Sequence, residues 1–118
     1  MKVLLVDDNQ DITTMLSEFL KEKGIDIEVT NDPRKGLERL KEEQYDAVLL
    51  DIHMPGLNGI DLIQTLENEN ILKDQKIIIL SGEDLTTNQI DDLLKKDGIT
   101  DLLKKPTPLN DIVSAIVN

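Results

Sequence analysis

Short apolar runs alternate along the chain with longer segments in which apolar residues recur at helical spacing. Five of these runs predict β-strands, at residues 3–6, 27–30, 47–50, 77–80 and 102–103. The first, third and fourth runs are apolar throughout, which is typical of strands that are covered on both faces of a sheet. The second run alternates apolar and polar residues, which favours a position at the edge of the sheet.

The segments between and after these runs predict helices. The clearest helix follows the first strand and ends at Gly24. Its apolar stripe consists of Ile12, Met15, Leu16, Phe19 and Leu20. Four more helices are predicted: one opened by Asp32-Pro33, one over residues 60–66, one through residues 90–94 that closes at Gly98, and a last one capped by Thr107-Pro108.

Strand and helix therefore alternate five times along the sequence. Connections between parallel strands are right-handed, and helices that follow such strands pack on both faces of the sheet. We therefore predict a single α/β domain over residues 1–118, with a doubly wound, flavodoxin-like (βα)5 sheet in the strand order 2-1-3-4-5. In this arrangement ligands bind beyond the carboxyl ends of the strands.

Composition narrows the possible functions. The 118 residues include no cysteine, which excludes disulfides, a thiol nucleophile and cysteine-ligated metals. A net charge of −11 repels nucleic-acid backbones, and Tyr45 and Phe19 are the only aromatic residues, so we expect no direct nucleic-acid binding. The apolar runs are too short to span a membrane and the first residues lack signal-peptide features, so we expect no membrane association and a cytoplasmic location.

Polar side chains follow four of the predicted strands, where a parallel sheet brings strand ends to one edge. The first strand ends in Asp7-Asp8, the third in Asp51, the fourth in Ser81, and the fifth runs into Lys104-Lys105. Three adjacent carboxylates cannot all stay ionised without compensation. Mg²⁺ prefers oxygen ligands and binds through one or two carboxylates, so a magnesium site is predicted at this edge.

The same edge predicts phosphoryl chemistry. Three carboxylates, one lysine and one Mg²⁺ carry no net charge together, so a phosphoryl group can approach them. Asp51 would be the nucleophile that forms an acyl phosphate, and Ser81 and a lysine would hold the phosphoryl oxygens.

The motifs at these strand ends resemble the receiver domain of two-component response regulators over essentially the whole chain, and chemotaxis-type single-domain receivers in particular. They are Val6-Asp7-Asp8-Asn9, Asp51-Ile52-His53-Met54-Pro55-Gly56 with Asn58-Gly59, Leu80-Ser81-Gly82 and Lys105-Pro106. The resemblance implies that a histidine kinase or a phosphotransfer protein phosphorylates Asp51. It also implies that Asp8 and Asp51 bind Mg²⁺ directly, that Asp7 acts mainly through water, and that the His53 backbone carbonyl is a further ligand.

The resemblance assigns the phosphoryl-binding lysine and the output surface as well. Lys105 matches the family position because it precedes Pro106, and a cis peptide is expected between them. The side chains of His53 and Glu83 are expected to flank the site. Many receivers carry an aromatic residue where this chain has Leu102, so we expect the surface of the fourth helix, fifth strand and fifth helix to change on phosphorylation without an aromatic rotamer switch.

The expected partners are therefore the phosphoryl donor and a downstream effector protein, and the expected state is a monomer or a weak phosphorylation-dependent dimer. Such a domain would catalyse its own phosphorylation and dephosphorylation while acting as a switch. Two alternatives stay open from the sequence: an adaptor of the same fold that is not phosphorylated, and a receiver that forms part of a larger transcriptional regulator.

Overall fold

A computed structural model describes residues 1–54, 58–82 and 85–118. Within these residues five parallel strands form one sheet in the order β2-β1-β3-β4-β5, which confirms the predicted fold class and strand order. Their bounds are β1 Lys2–Val6, β2 Asp26–Thr30, β3 Ala47–Asp51, β4 Ile77–Ser81 and β5 Ile99–Lys104. The alternating second run is the edge strand β2, as predicted.

A helix follows each strand. The helices are α1 Gln10–Glu22, α2 Pro33–Glu42, α3 Gly59–Asn68, α4 Thr87–Leu94 and α5 Leu109–Val117, with a short 3₁₀ helix at Leu72–Asp74. The Asp32 carboxylate caps α2 and accepts a hydrogen bond from the Arg34 N–H at 2.9 Å, as the Asp32-Pro33 pair predicts. Gly24 ends α1 with a φ of +79°, a conformation that favours glycine.

Successive strand residues point to opposite faces of the sheet, so the core is divided into two clusters. On one face Leu4, Leu50 and Ile79 pack with α2, α3 and α4. On the other face Leu5 and Leu49 pack with α1 and α5. The strands β3 and β4 are buried along their whole length, which is the reason their sequences are almost entirely apolar. The acids and the serine occur only where these strands end.

Three local predictions were wrong. Thr107 does not cap α5: Pro108 occupies the cap position, and the Thr107 hydroxyl donates to the Lys104 carbonyl at 2.6 Å. Met15 belongs to the predicted apolar stripe but is 50% exposed. The helix α4 ends at Leu94 instead of Gly98.

Gly98 is required by a close contact with a distant segment and not by the end of a helix. Its φ is +99°, and a Cβ at this position would lie 1.8 Å from the Leu72 carbonyl oxygen. Glycine is therefore needed because the chain passes close to the 3₁₀ helix before β5 begins. Among the described residues, no helix is both long and apolar enough to cross a membrane.

Candidate functional site

The acidic residues at the ends of β1 and β3 meet at one point of the sheet edge. Asp51 is the last residue of β3, and Asp7 directly follows β1, its neighbour in the sheet. Each of Asp7, Asp8 and Asp51 offers one carboxylate oxygen, and these three atoms lie within 4.8 Å of one another. The predicted convergence of the three acids is therefore confirmed, and the cluster is consistent with the metal site of a receiver domain.

The three acids differ in their surroundings. Asp7 is completely buried and Asp51 is 4% exposed, whereas Asp8 is exposed. The Asp7 Oδ1 accepts a hydrogen bond from the Asn9 backbone N–H at 3.0 Å. The Asp51 Oδ1 accepts one from the His53 backbone N–H at 3.1 Å. Turns of this kind fix the side chains of the two buried acids.

A single ammonium group is shared by the two buried acids. The Lys105 Nζ lies 3.4 Å from the Asp7 Oδ2 and 3.3 Å from the Asp51 Oδ1. Lys104 is exposed and makes no such contact within the described residues. The Lys105-Pro106 peptide is cis, as expected. Of the two candidate lysines, Lys105 is thus the one that the fold brings to the acids.

Ser81 is buried at the end of β4, beside the same edge, but its hydroxyl is directed elsewhere. The Ser81 Oγ donates to the Gly82 carbonyl oxygen at 2.9 Å. The Ser81 carbonyl oxygen accepts a hydrogen bond from the Lys105 N–H at 2.6 Å, so the strand end and the lysine are joined through the backbone. The role of the Ser81 hydroxyl stays a prediction, because in this structure it is satisfied locally.

The predicted roles of the residues that follow β3 and β4 stay predictions. The His53 side chain is exposed, and the ligand role of its carbonyl stays a prediction. Pro55, Gly56 and Glu83 lie outside the described residues.

Burial dominates the electrostatics of Asp7. It raises the pKa of the Asp7 carboxyl above its usual value, and the nearby Asp51 charge acts in the same direction. The hydrogen bond from Asn9 and the charge of Lys105 lower this pKa and offset only part of the effect. The single lysine therefore offsets only part of the cost of ionising Asp7 in this buried place, which is consistent with a metal site at the three acids.

Two residues near the site were missed by the sequence analysis. The Asn31 side-chain amide donates to the Asp7 carbonyl oxygen at 2.8 Å and to the Thr13 Oγ1 at 3.2 Å. Asn31 directly follows β2, the strand that neighbours β1. The predicted strand order already placed the end of β2 beside the end of β1, and this was the signal that could have found it.

A doubly wound sheet with three acids and a lysine at its carboxyl edge defines an α/β domain with a candidate divalent-cation site. Residues 3–117 match the family model described as the response regulator receiver domain. The chain belongs to this family of two-component signalling domains.

Individual relatives agree with the assignment. The transcriptional regulatory protein HprR of Escherichia coli is 30% identical over 116 residues, which are 98% of this chain and 50% of the relative. The CpxR homolog of Haemophilus influenzae is 36% identical and covers 98% of this chain, which spans 48% of it. The receiver domain of the Francisella response regulator 1452 superposes with a TM-score of 0.85 at 34% identity, over 98% of this chain and 93% of that one. The chain thus spans about half the length of the curated relatives it matches.

Proposed function

We propose that the chain is a Mg²⁺-dependent signalling switch in which Asp51 accepts a phosphoryl group from a histidine kinase or a phosphotransfer protein. Receiver domains pair with histidine kinases, and the chain belongs to that family. The observation that carries the proposal is the meeting of the Asp7, Asp8 and Asp51 carboxylates within 4.8 Å, with Lys105 in contact with two of them.

The transfer requires an oxygen nucleophile and a place for the phosphoryl charge. A carboxylate oxygen of Asp51 would attack the phosphorus of the donor's phosphohistidine, so that a P–O bond forms as the P–N bond breaks and the electron pair leaves with the imidazole nitrogen. Lys105 would hold a phosphoryl oxygen, since its Nζ is already 3.3 Å from Asp51. The Ser81 hydroxyl would turn from the Gly82 carbonyl to donate to another oxygen. Attack of water on the acyl phosphate would then release phosphate.

The cluster offers oxygen ligands, which suit Mg²⁺. Asp8 and Asp51 would bind it directly, Asp7 mainly through water, and the His53 carbonyl would complete the protein's share. When bound, Mg²⁺ would neutralise the acids and polarise the phosphoryl oxygens.

The output of the switch is proposed to be the α4-β5-α5 surface, made by Thr87–Leu94, Ile99–Lys104 and Leu109–Val117. Ser81 and Lys105 connect the site to this surface, because their backbones are hydrogen-bonded at the end of β5. Leu102 is partly buried against the core beside α4. Movement of Ser81 would therefore shift the loop after β4 and change the surface without an aromatic rotamer switch. An effector protein would then bind the changed surface. We propose no direct contact with nucleic acid.

A second proposal concerns the context of the domain. The relatives HprR and the CpxR homolog are named transcriptional regulatory proteins, and this chain spans about half of each. This supports the hypothesis that the same switch forms part of a larger regulator.

The oligomeric state is a separate prediction. Size-exclusion chromatography with and without phosphorylation would test the expected monomer or weak phosphorylation-dependent dimer.

Intact-mass spectrometry after incubation with acetyl phosphate and MgCl₂ tests the main proposal. We expect the parent chain to gain one phosphoryl group and Asp51→Asn to gain none. Asp74→Asn is the matched control. Asp74 is an exposed acid in the 3₁₀ helix before β4, at the amino ends of the strands, whereas the site lies at their carboxyl ends. A parent chain that is never phosphorylated by any donor would support the adaptor alternative, and uptake by Asp51→Asn at the parent's level would assign the reaction to another residue.

A further inference from the structure

We propose that Asn31 is a positioning residue of the acidic site, which holds the peptide between Asp7 and Asp8 in the orientation that metal binding requires. This inference rests on the proposed function for the identity of the metal. The observation behind it is the 2.8 Å hydrogen bond from the Asn31 side-chain amide to the Asp7 carbonyl oxygen. That oxygen belongs to the peptide group that joins Asp7 to Asp8, so the bond fixes the plane of this peptide.

The same amide also connects the peptide to the first turn of α1. It donates to the Thr13 Oγ1 at 3.2 Å, and the Thr13 hydroxyl in turn donates to the Gln10 carbonyl at 3.0 Å. Thr13 is buried, with 2% of its surface exposed. Asn31 therefore joins the end of β1 to the start of α1 from a neighbouring strand, across the turn that carries Asp7 and Asp8.

Asp8 depends on this bridge more than the other two acids do. The carboxylates of Asp7 and Asp51 each accept a backbone hydrogen bond and face Lys105. Within the part of the chain that the structure describes, no hydrogen bond or ion pair holds the exposed Asp8 carboxylate. The direction of its side chain is thus determined by the backbone on either side. Loss of the Asn31 bond would let the peptide rotate and would move a metal ligand.

The bridge is suited to positioning more than to stability. Asn31 is exposed and belongs to neither apolar cluster, so its loss leaves the packing of the sheet intact. The adjacent backbone bond from the Asp7 N–H to the Thr30 carbonyl, at 3.2 Å, continues the pairing of β1 with β2 without it. The expected defect is therefore one of metal affinity.

Three variants and two measurements test the inference. Asn31→Ala removes the amide, and Thr13→Val removes one of its two acceptors while keeping the shape of the buried side chain. Gln44→Ala is the matched control. The exposed Gln44 amide also donates to a backbone carbonyl in another loop, that of Asp74, at 3.1 Å, but it lies at the amino ends of the strands, away from the acids. Calorimetric titration with MgCl₂ gives the dissociation constant of each unphosphorylated variant, and intact-mass kinetics with acetyl phosphate give the phosphorylation rate against Mg²⁺ concentration.

We expect Asn31→Ala to raise the Mg²⁺ dissociation constant at least about threefold, Thr13→Val to raise it less, and Gln44→Ala to leave it unchanged. The Mg²⁺ concentration for half-maximal phosphorylation should rise in parallel for Asn31→Ala. Its rate at saturating Mg²⁺ should stay within about twofold of the parent, because the nucleophile and Lys105 keep their places. Such a split would not arise from a general loss of stability, which would lower the saturated rate as well.

An unchanged Mg²⁺ affinity in Asn31→Ala would overturn the inference, as would an equal loss in Gln44→Ala. A parent chain that binds no Mg²⁺ would overturn both the inference and the metal part of the proposed function. A parent chain that binds Mg²⁺ but takes up no phosphoryl group would overturn only the phosphorylation proposal, and the titration alone would then decide the role of Asn31.

Discussion

Mg²⁺ should stabilise the folded chain, and the structure allows the size of the effect to be estimated. When Asp7, Asp8 and Asp51 are ionised, they and the Lys105 ammonium leave a net charge of −2 within one small cluster. A single Mg²⁺ neutralises it. The unfolded chain has no such cluster, because positions 7 and 51 are brought together only by the sheet, so the proposed Mg²⁺ site would exist only in the folded state.

The stabilisation follows from mass action. At a Mg²⁺ concentration about ten times the dissociation constant, selective binding to the folded state adds about 1.4 kcal/mol to the free energy of unfolding. A domain of this size gains roughly 3–6 °C in melting temperature per kcal/mol, so Mg²⁺ should raise the Tm by about 4–8 °C.

The assay is a thermal unfolding curve, followed by circular dichroism, of chain stripped with EDTA and then supplied with MgCl₂. NaCl at the same ionic strength is an essential control, because a chain with a net charge of −11 is stabilised to some degree by any salt. Asp8→Asn should lose at least half of the increase in Tm, and Asp74→Asn should keep it. If NaCl produces the same increase, or if Asp8→Asn keeps all of it, the effect is general screening and the reasoning about the site is wrong.

Three further predictions concern stability. Because burial raises the pKa of Asp7 in the folded state, the contribution of Asp7 to the stability of the metal-free chain should fall as the pH rises from the unfolded pKa of about 3.9 through the raised folded value. In urea unfolding with EDTA, the stability advantage of Asp7→Asn over the parent should therefore grow with pH, and a constant difference would refute this. Leu49→Ala should lower the free energy of unfolding by about 2–5 kcal/mol, since Leu49 is fully buried in β3, and a loss below about 1 kcal/mol in urea unfolding would contradict the packing. Thr86→Ala should lower the free energy of unfolding by about 1 kcal/mol, because it removes the capping box that Thr86 forms with Gln89 at the start of α4. Its Mg²⁺ affinity by calorimetry should be unchanged, and a change in that affinity would contradict a purely structural role for Thr86.

The fold was predictable because its strands carry an unambiguous pattern. The buried strands β3 and β4 are apolar at every position before their last residue, and the edge strand β2 alternates apolar and polar residues. The pattern therefore predicted both that these segments are strands and where β2 lies in the sheet. The errors occur where tertiary contacts decide. Gly98 was interpreted as the end of α4, although the contact that requires a glycine is made with Leu72, a residue distant in sequence.

The acids of the site were predictable for a topological reason. In the order 2-1-3-4-5, β1 and β3 are neighbours, so Asp7 and Asp51 must be close if the strands end at the same level. Asn31 was missed because an asparagine after a strand is ordinarily a turn residue, and only coordinates show which carbonyl its amide contacts. For the same reason the sequence could not predict that the Ser81 hydroxyl bonds to Gly82.

The two apolar clusters hold the fold together, and the acids at the carboxyl ends of β1 and β3 form the candidate site. Asp7 and Asp51 follow strands that are held in place by apolar packing on both faces, so their carboxylates can be buried close together with only one lysine between them. Burying these acids costs free energy, which the apolar packing of the two clusters offsets. The proposed cation would bind acids that the strands bring within 4.8 Å of one another. Substitutions of these acids should consequently change binding and phosphorylation in chains that still fold, which is the condition under which the experiments above can separate function from stability.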